Sequence, residues 1–280
     1  MIFGPHKCGR HGRKADKGFT LVELLVVMSI ISLVLFVLLP SLRKSRQQAQ
    51  AVVCMNNIKQ LSLAFILYGE DYNGYAMPAT ASSGIYWWGR KLTTGIDHKQ
   101  GFVWPYLKSD LAADSVYECP AQPYGSYQLQ GKPQGKPDEP KWITSTYGYN
   151  GYYLCPPQSG WYNLPGCWQK IAGINMPTQV LAFADTLIDY DLTGKKPILK
   201  NNFSLDPPYI YKSGRWGKNV SPTTCFRHSE RTNAVFVDGH SEPMTTKGAA
   251  YTSPQAKIGS IGTNNAPYYV PDYLQWREKR

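Results

Sequence analysis

The stretch that decides the fold runs from Lys17 to Leu39 and reads KGFTLVELLVVMSIISLVLFVLL. From Phe19 onward its only polar side chains are two serines, Thr20 and Glu23. These 21 residues would span about 31 Å as an α-helix, at ~1.5 Å per residue, which is enough to cross the hydrocarbon of a bilayer. The pattern therefore predicts a transmembrane helix.

Glu23 is an uncommon residue for such a helix. A lone charge inside lipid costs roughly several kcal/mol unless it is paired, so a carboxylate there indicates a function. The alternative is that lipid headgroups at the membrane boundary solvate it.

The residues from Lys17 to Glu23 and the apolar run after them resemble the class III signal of type IV pilins and type II secretion pseudopilins. In that family a membrane peptidase cleaves after the glycine, the new N-terminal phenylalanine is methylated, and the glutamate pairs with a neighbouring subunit's amino group during assembly. The resemblance assigns these roles to Gly18, Phe19 and Glu23. It also implies a prepilin peptidase, an inner-membrane assembly platform and other pilin-like subunits as partners.

Two plainer interpretations are an ordinary signal anchor and a secretory signal peptide that is removed. A secretory signal needs a small-residue cleavage site after its apolar core. The residues after Leu39 read PSLRK, without an Ala-x-Ala pattern. The prepilin signal is therefore the favoured prediction.

Composition fits one modest domain and a membrane helix, since 42% of the 280 residues are hydrophobic and 18% are charged. The net charge is +11. Residues 1–18, the leader under the prepilin interpretation, hold five basic residues and Asp16, a net of +4, which leaves +7 on the mature chain. A basic leader favours a cytoplasmic N-terminus, but Arg43, Lys44 and Arg46 follow the helix, so charge alone leaves the orientation open. The prepilin resemblance implies a cytoplasmic N-terminus in the bacterial inner membrane. The rest of the chain would lie in the periplasm or in an extracellular filament.

The helix is expected to continue to residue 72. Pro40 removes one backbone hydrogen bond and would kink a continuing helix, or it would end the helix. Beyond it, apolar residues recur at helical spacing on one face. They are Ala51, Cys54 or Met55, Ile58, Leu61, Phe65 and Tyr68. This amphipathic half predicts a helix that packs on a sheet.

A second resemblance extends into the rest of the chain. The run CMNNIKQ at residues 54–60 is similar to one in a pseudopilin-like group of exported proteins. So is His228, which is separated from Asp238-Gly239 by nine residues. That group carries a C-terminal H-X9-DG motif. A Cys-Pro pair is common in it, and Cys119-Pro120 fits.

Six cysteines are present, one of them, Cys8, in the leader. None has CxxC spacing, so neither a zinc ribbon nor a thioredoxin motif is indicated. An exported head favours disulfides, although spacing leaves their connectivity open. The predicted assignments are Cys54–Cys119, which the second resemblance implies, Cys155–Cys167, and Cys225 as the thiol left over.

Apolar and alternating runs predict strands at residues 145–153, 180–185, 233–237 and 240–244, and a further one at Trp87-Trp88. Asp238-Gly239 predicts a type I′ hairpin turn between the last pair. The predicted fold is α+β and pilin-like, with a long N-terminal helix packed on an antiparallel sheet.

Asp185, His228, Asp238 and His240 are candidate ligands of a divalent cation, because imidazoles and carboxylates bind such ions. The resemblance implies structural calcium. The alternative is that His228 bonds the backbone near the hairpin while Asp238 serves the turn. An exported hydrolase would need these groups around an open metal, but the sequence has no nucleophile elbow, His-Glu-x-x-His or phosphate loop. The chain is predicted not to be an enzyme.

The 20 tyrosines and 8 tryptophans suggest an alternative function, a membrane-tethered module that binds a glycan or DNA by stacking. They would otherwise fill the core. The favoured prediction is a structural subunit of a type IV pilus-like or type II secretion pseudopilus filament. Its predicted parts are a leader at 1–18, a helix at 19–72 with 19–39 in the bilayer, and a β-rich head at 73–280 with the motif at 228–239.

Overall fold

The computed structural model describes residues 19–81, 84–92, 95–110, 115–122, 144–155, 168–191, 197–212 and 215–272. The chain divides into two compact units between Arg46 and Gln47.

Helix α1 (Leu21–Asp71) has 51 residues and continues through Pro40. The alternative that Pro40 ends the helix is therefore wrong, while a bend there stays a prediction. The helix ends where Asn73 and Gly74 adopt positive φ angles of 55° and 80°. Gly74 N–H donates to the Gly69 carbonyl at 2.8 Å, which closes the last turn.

The part of α1 in the first unit is exposed at every residue. It includes a segment long and apolar enough to cross a membrane. An apolar surface of this size is stable only against lipid or other chains.

The later part of α1 buries one face. Ile58, Leu61 and Phe65 are all 0% exposed, and burial of such side chains stabilises by roughly 1.5–3 kcal/mol each. The predicted apolar face is confirmed as buried from Cys54 to Tyr68, with Ala51 and Met55 half-buried beside it.

The described head contains fourteen short strands, two short α-helices and two 3₁₀ turns. The strands are β1 (Thr80–Ala81), β2 (Ile85–Tyr86), β3 (Gly89–Leu92), β4 (Gly95–Asp97), β5 (Tyr147–Tyr149), β6 (Leu181–Asp185), β7 (Ile188–Asp189), β8 (Leu199–Lys200), β9 (Tyr209–Lys212), β10 (Arg215–Lys218), β11 (Thr224–Cys225), β12 (Thr232–Phe236), β13 (Ser241–Met244) and β14 (Ile258–Gly259). The helices are α2 (Trp104–Leu107) and α3 (Gly151–Leu154), and the 3₁₀ turns are His98–Gln100 and Ile171–Gly173.

The central sheet is antiparallel, in the order β13-β12-β6-β5. Helix α1 packs on it, since the Phe65 ring lies 5.8 Å from Tyr149 on β5 and 6.3 Å from Phe183 on β6. A second sheet has the order β1-β2-β3-β4, and three two-stranded pairs, β9–β10, β11–β14 and β7–β8, complete the described strands. The predicted α+β fold is confirmed.

Three local predictions need correction. The run at 145–153 forms only β5 and then turns into α3, while Trp87-Trp88 lies in the turn between β2 and β3. The hairpin β12–β13 is confirmed, but its turn is not type I′: Gly239 has a φ of +91° whereas Asp238 is not in the positive region. Gly239 N–H donates to the Phe236 carbonyl at 2.9 Å, as in a three-residue hairpin loop that ends in a left-handed glycine.

Aromatic side chains fill the core. The largest fully buried side chains in the described part are Trp87, Trp88, Tyr117, Tyr147, Tyr149, Tyr269, Phe65, Phe183, Phe226 and Phe236. Edge and tilted contacts connect them, such as Trp87 to Phe183 at 5.4 Å. The interior therefore explains part of the richness in tyrosine and tryptophan, while other described aromatic residues, such as Trp104 and Tyr72, are half-buried or exposed.

Candidate functional site

Thr20 and Glu23 form a reciprocal cap at the start of α1. Thr20 donates from its backbone N–H and its hydroxyl to Glu23 Oε2, at 2.8 Å and 2.7 Å. In return, Glu23 N–H donates to Thr20 Oγ1 at 3.3 Å. This is a capping box, which satisfies backbone donors that a helix start otherwise leaves without partners.

The cap gives Glu23 a local role in addition to the predicted one in assembly. Phe19, directly before the cap, is 74% exposed. Gly18, the predicted cleavage residue, lies outside the described residues. The first turn therefore presents an aromatic side chain and one carboxylate at the start of the apolar segment.

A second group of polar side chains lies inside the head. Cys54 on α1, Cys119 in the loop after residue 115, Asp185 at the end of β6 and His228 before β12 are all buried. Their ligand atoms lie within 4.8 Å of one another. We call these four residues the buried cluster.

Short contacts connect the buried cluster. Cys54 Sγ lies 3.1 Å from Asp185 Oδ1, and Cys119 Sγ lies 3.3 Å from His228 Nε2. The same Nε2 atom lies 3.5 Å from Asp185 Oδ2. All four groups thus converge on one small volume.

Surrounding groups orient the buried cluster. Asn233 N–H donates to Asp185 Oδ2 at 2.7 Å, and the Tyr147 hydroxyl lies 3.4 Å from Cys54 Sγ. The Arg227 guanidinium donates to the Thr186 carbonyl at 2.6 Å. It is close enough to interact electrostatically with Asp185 and Cys119.

These neighbours shift the acidity of the cluster. Burial alone would lower the pKa of His228, but hydrogen bonds to Asp185 and Cys119 raise it to about 9. Burial opposes a charge on Asp185, yet Arg227 and His228 hold its pKa below the usual range. Burial also raises the pKa of Cys54. Burial opposes a charge on Cys119 as well, but hydrogen bonds with Cys54 and His228 lower the pKa of that thiol.

The predicted cation ligands are divided by the structure. Asp185 and His228 belong to the buried cluster. In contrast, Asp238 and His240 form an exposed pair of their own, with Oδ1 and Nδ1 2.6 Å apart. Asp238 also accepts from His240 N–H at 3.1 Å, so it serves the turn.

Strand direction explains this division. In the antiparallel pair of β6 and β12, Ala184 lies opposite Ala234, so the end of β6 meets the beginning of β12. Strand β12 has five residues and is about 17 Å long at ~3.4 Å per residue. His228 comes before this strand and Asp238 comes after it, so they lie near opposite ends. Asp185 can therefore reach only one end of the H-X9-DG motif.

The cysteines fall in different surroundings. Cys54 and Cys119, the predicted disulfide, are both thiols in the structure and face each other within the buried cluster. Cys155 is buried and accepts from Ala79 N–H at 2.9 Å, while its predicted partner Cys167 lies outside the described residues. The Cys225 thiol lies 3.8 Å from the Ala256 carbonyl oxygen.

Comparison with known proteins bears on the N-terminal segment. Residues 13–39 match the family model of the prokaryotic N-terminal methylation motif. A segment of 59 residues is 37% identical to the ComG operon protein 3 homolog of Bacillus licheniformis and covers 21% of this chain. The chain therefore carries a prokaryotic N-terminal methylation motif at residues 13–39. It spans about 61% of the length of that relative, and no solved structure matches it significantly.

Sequence reasoning overlooked two features of this chain. The capping box was visible as a threonine three residues before Glu23 at the start of an apolar run. By contrast, no local signal identified Arg227 as the cation beside the buried cluster.

Proposed function

We propose that this chain is a pilin-like, non-catalytic structural subunit of a pilus-like or pseudopilus filament. In this proposal, a prepilin peptidase cleaves after Gly18 and the new N-terminal Phe19 is methylated. The mature chain is held in the bacterial inner membrane and joins other pilin-like subunits through the first half of α1, with the assembly platform as a further partner.

One observation carries the proposal. Directly after the prepilin-type signal comes a helical segment that is exposed throughout and apolar except for one carboxylate and a few hydroxyls. A bilayer covers such a surface in the precursor, and neighbouring helices would cover it in a filament. Glu23 would then attract a neighbour's Phe19 amine, because an opposite charge in a low-dielectric surrounding is strongly favourable.

The capping box allows the two roles of Glu23 to be separated. Glutamine also functions at the third position of a capping box, so Glu23→Gln keeps the helix start but removes the charge. Thr20→Val removes the capping hydroxyl but keeps the charge. We expect Glu23→Gln to be inserted and cleaved but absent from sheared filaments, and Thr20→Val to assemble.

The measurements are mass spectrometry of the mature N-terminus and quantification of the protein in sedimented filaments. A chain that begins at methylated Phe19 supports the processing step, whereas an intact Met1 or a start beyond Leu39 refutes it. Normal filaments from Glu23→Gln would refute the electrostatic role.

The glycan- or DNA-binding alternative depended on the number of aromatic residues. Trp87, Trp88 and the largest buried tyrosines lie in the interior, where they pack on each other. Core packing accounts for these residues, whereas other described tyrosines and tryptophans are half-buried or exposed. The binding alternative stays a prediction.

A further inference from the structure

Four side chains of metal-ligand type converge in the interior, where α1 packs on the central sheet. Cys54, Cys119 and Asp185 are 0% exposed, and His228 is 8% exposed. We propose that these four residues bind one structural zinc ion. The proposal concerns the head alone and does not depend on filament assembly.

The contact distances fit a tetrahedral ion. With zinc–sulfur bonds of about 2.3 Å and zinc–nitrogen or zinc–oxygen bonds of about 2.0–2.2 Å, the ligand atoms would lie roughly 3.3–3.8 Å apart. The observed contacts are 3.1 Å, 3.3 Å and 3.5 Å, and every pair lies within 4.8 Å. Shifts of a few tenths of an ångström would bring most of these contacts to the expected spacing.

The arrangement differs from that of a Cys-His-Asp catalytic triad. In a triad, the histidine faces the nucleophile with one ring nitrogen and the carboxylate with the other. Here His228 Nε2 lies near both Cys119 Sγ and Asp185 Oδ2. One nitrogen close to both groups does not fit a triad, and it fits ligands around a common ion.

The donor atoms select the metal. Two sulfurs, one imidazole and one carboxylate suit zinc, whereas calcium takes six to eight oxygen ligands. The calcium that the resemblance implied therefore does not fit this site. Two thiolates and a carboxylate carry three negative charges, which zinc and the adjacent Arg227 would neutralise together.

Neighbouring groups would hold the ligands in place. Asn233 N–H donates to Asp185 Oδ2, and the Tyr147 hydroxyl lies within reach of Cys54 Sγ. Such outer contacts fix ligand orientation in metal sites. The backbone N–H of Cys119 also donates to Thr146 Oγ1 at 2.7 Å, which fixes the loop that carries this ligand.

A disulfide between Cys54 and Cys119 is the competing assignment. It would account for the two sulfurs but not for the convergence of Asp185 and His228 on the same volume. A zinc ion accounts for all four residues. It would also join α1 to three segments that are distant in sequence, which is the role of a closed structural site.

The test uses the full chain in detergent micelles, purified under reducing conditions without chelator. We expect one zinc per chain by elemental mass spectrometry. We also expect cobalt exchange to give the absorption of a tetrahedral ion, with a thiolate-to-cobalt charge-transfer band. Cys119→Ser and His228→Ala should lose most of the metal, whereas His228→Cys should retain it and strengthen the thiolate band.

Cys225→Ser is the matched control, because it removes a buried thiol outside the cluster and should leave the metal content unchanged. A folded, reduced chain that binds neither zinc nor cobalt would overturn the proposal. So would a Cys54–Cys119 disulfide found by peptide mass in protein isolated without added reductant. Both outcomes are measured on the wild-type chain, so misfolding of a variant cannot be mistaken for evidence against the zinc site.

Discussion

Substitution of Phe65 is the most direct test of whether the later half of α1 packs on the central sheet. Its side chain is 0% exposed and meets Tyr149 and Phe183 at ring distances of 5.8 Å and 6.3 Å. Phe65→Ala removes these contacts and leaves a cavity between helix and sheet. Leu63 on the same helix is 56% exposed and provides the control.

A buried phenylalanine replaced by alanine costs about 3–5 kcal/mol, whereas an exposed substitution stays within about 0.5 kcal/mol. For a domain of this size each kcal/mol lowers the melting temperature by roughly 2–4 °C, so Phe65→Ala should lower it by about 6–20 °C. Leu63→Ala should change it by about 2 °C or less.

Tryptophan fluorescence of the full chain in micelles is a suitable assay, because Trp87 packs 5.4 Å from Phe183 in the same part of the core. Thermal and urea unfolding should both show the difference between the two variants. Equal midpoints for Phe65→Ala and Leu63→Ala would refute the packing of this helix face on the sheet.

Two further predictions concern the head. An added Cβ at Gly148 would lie 2.8 Å from the Ser204 backbone, so Gly148→Ala should cost about 1–3 kcal/mol in urea unfolding. Gly173→Ala, which meets open space, should cost no more than about 0.5 kcal/mol, and equal costs would contradict the close approach. Burial lowers the pKa of His98, although Asp110 and Asp97 lie nearby. The neutral imidazole therefore contributes to the stability of the fold above the unfolded pKa of about 6.5. This stabilisation is lost as the pH falls through the lower pKa of the folded state. The melting temperature should therefore fall less between pH 7.5 and 5.5 in His98→Gln than in the wild type, and identical pH profiles would exclude this role.

Local sequence patterns predicted the elements that depend on local physics. The helix was readable because hydrophobic length and 3.6-residue spacing are set by neighbours along the chain. Strand β6 and the hairpin β12–β13 were readable because an apolar run and an Asp-Gly pair mark them. The type of turn in this hairpin could not be predicted, because several hairpin loops place a glycine at positive φ.

The buried cluster could not be predicted from any local sequence pattern. Asp185 and His228 meet because β6 and β12 are antiparallel neighbours with a particular register. Cys119 reaches them through a loop, and Cys54 through the packing angle of α1. The four residues are separated by more than forty positions at every step, so the spacing tests that detect zinc ribbons could not find them.

The hydrogen bonds between Thr20 and Glu23 affect how strongly one subunit would bind its neighbour in a filament. A carboxylate that already has donors in its own chain gains from a neighbour's amine only the difference between the two sets of bonds. Such a contact would be weaker than one made by a carboxylate without donors of its own, but it would still favour the register that brings the neighbour's amine to Glu23.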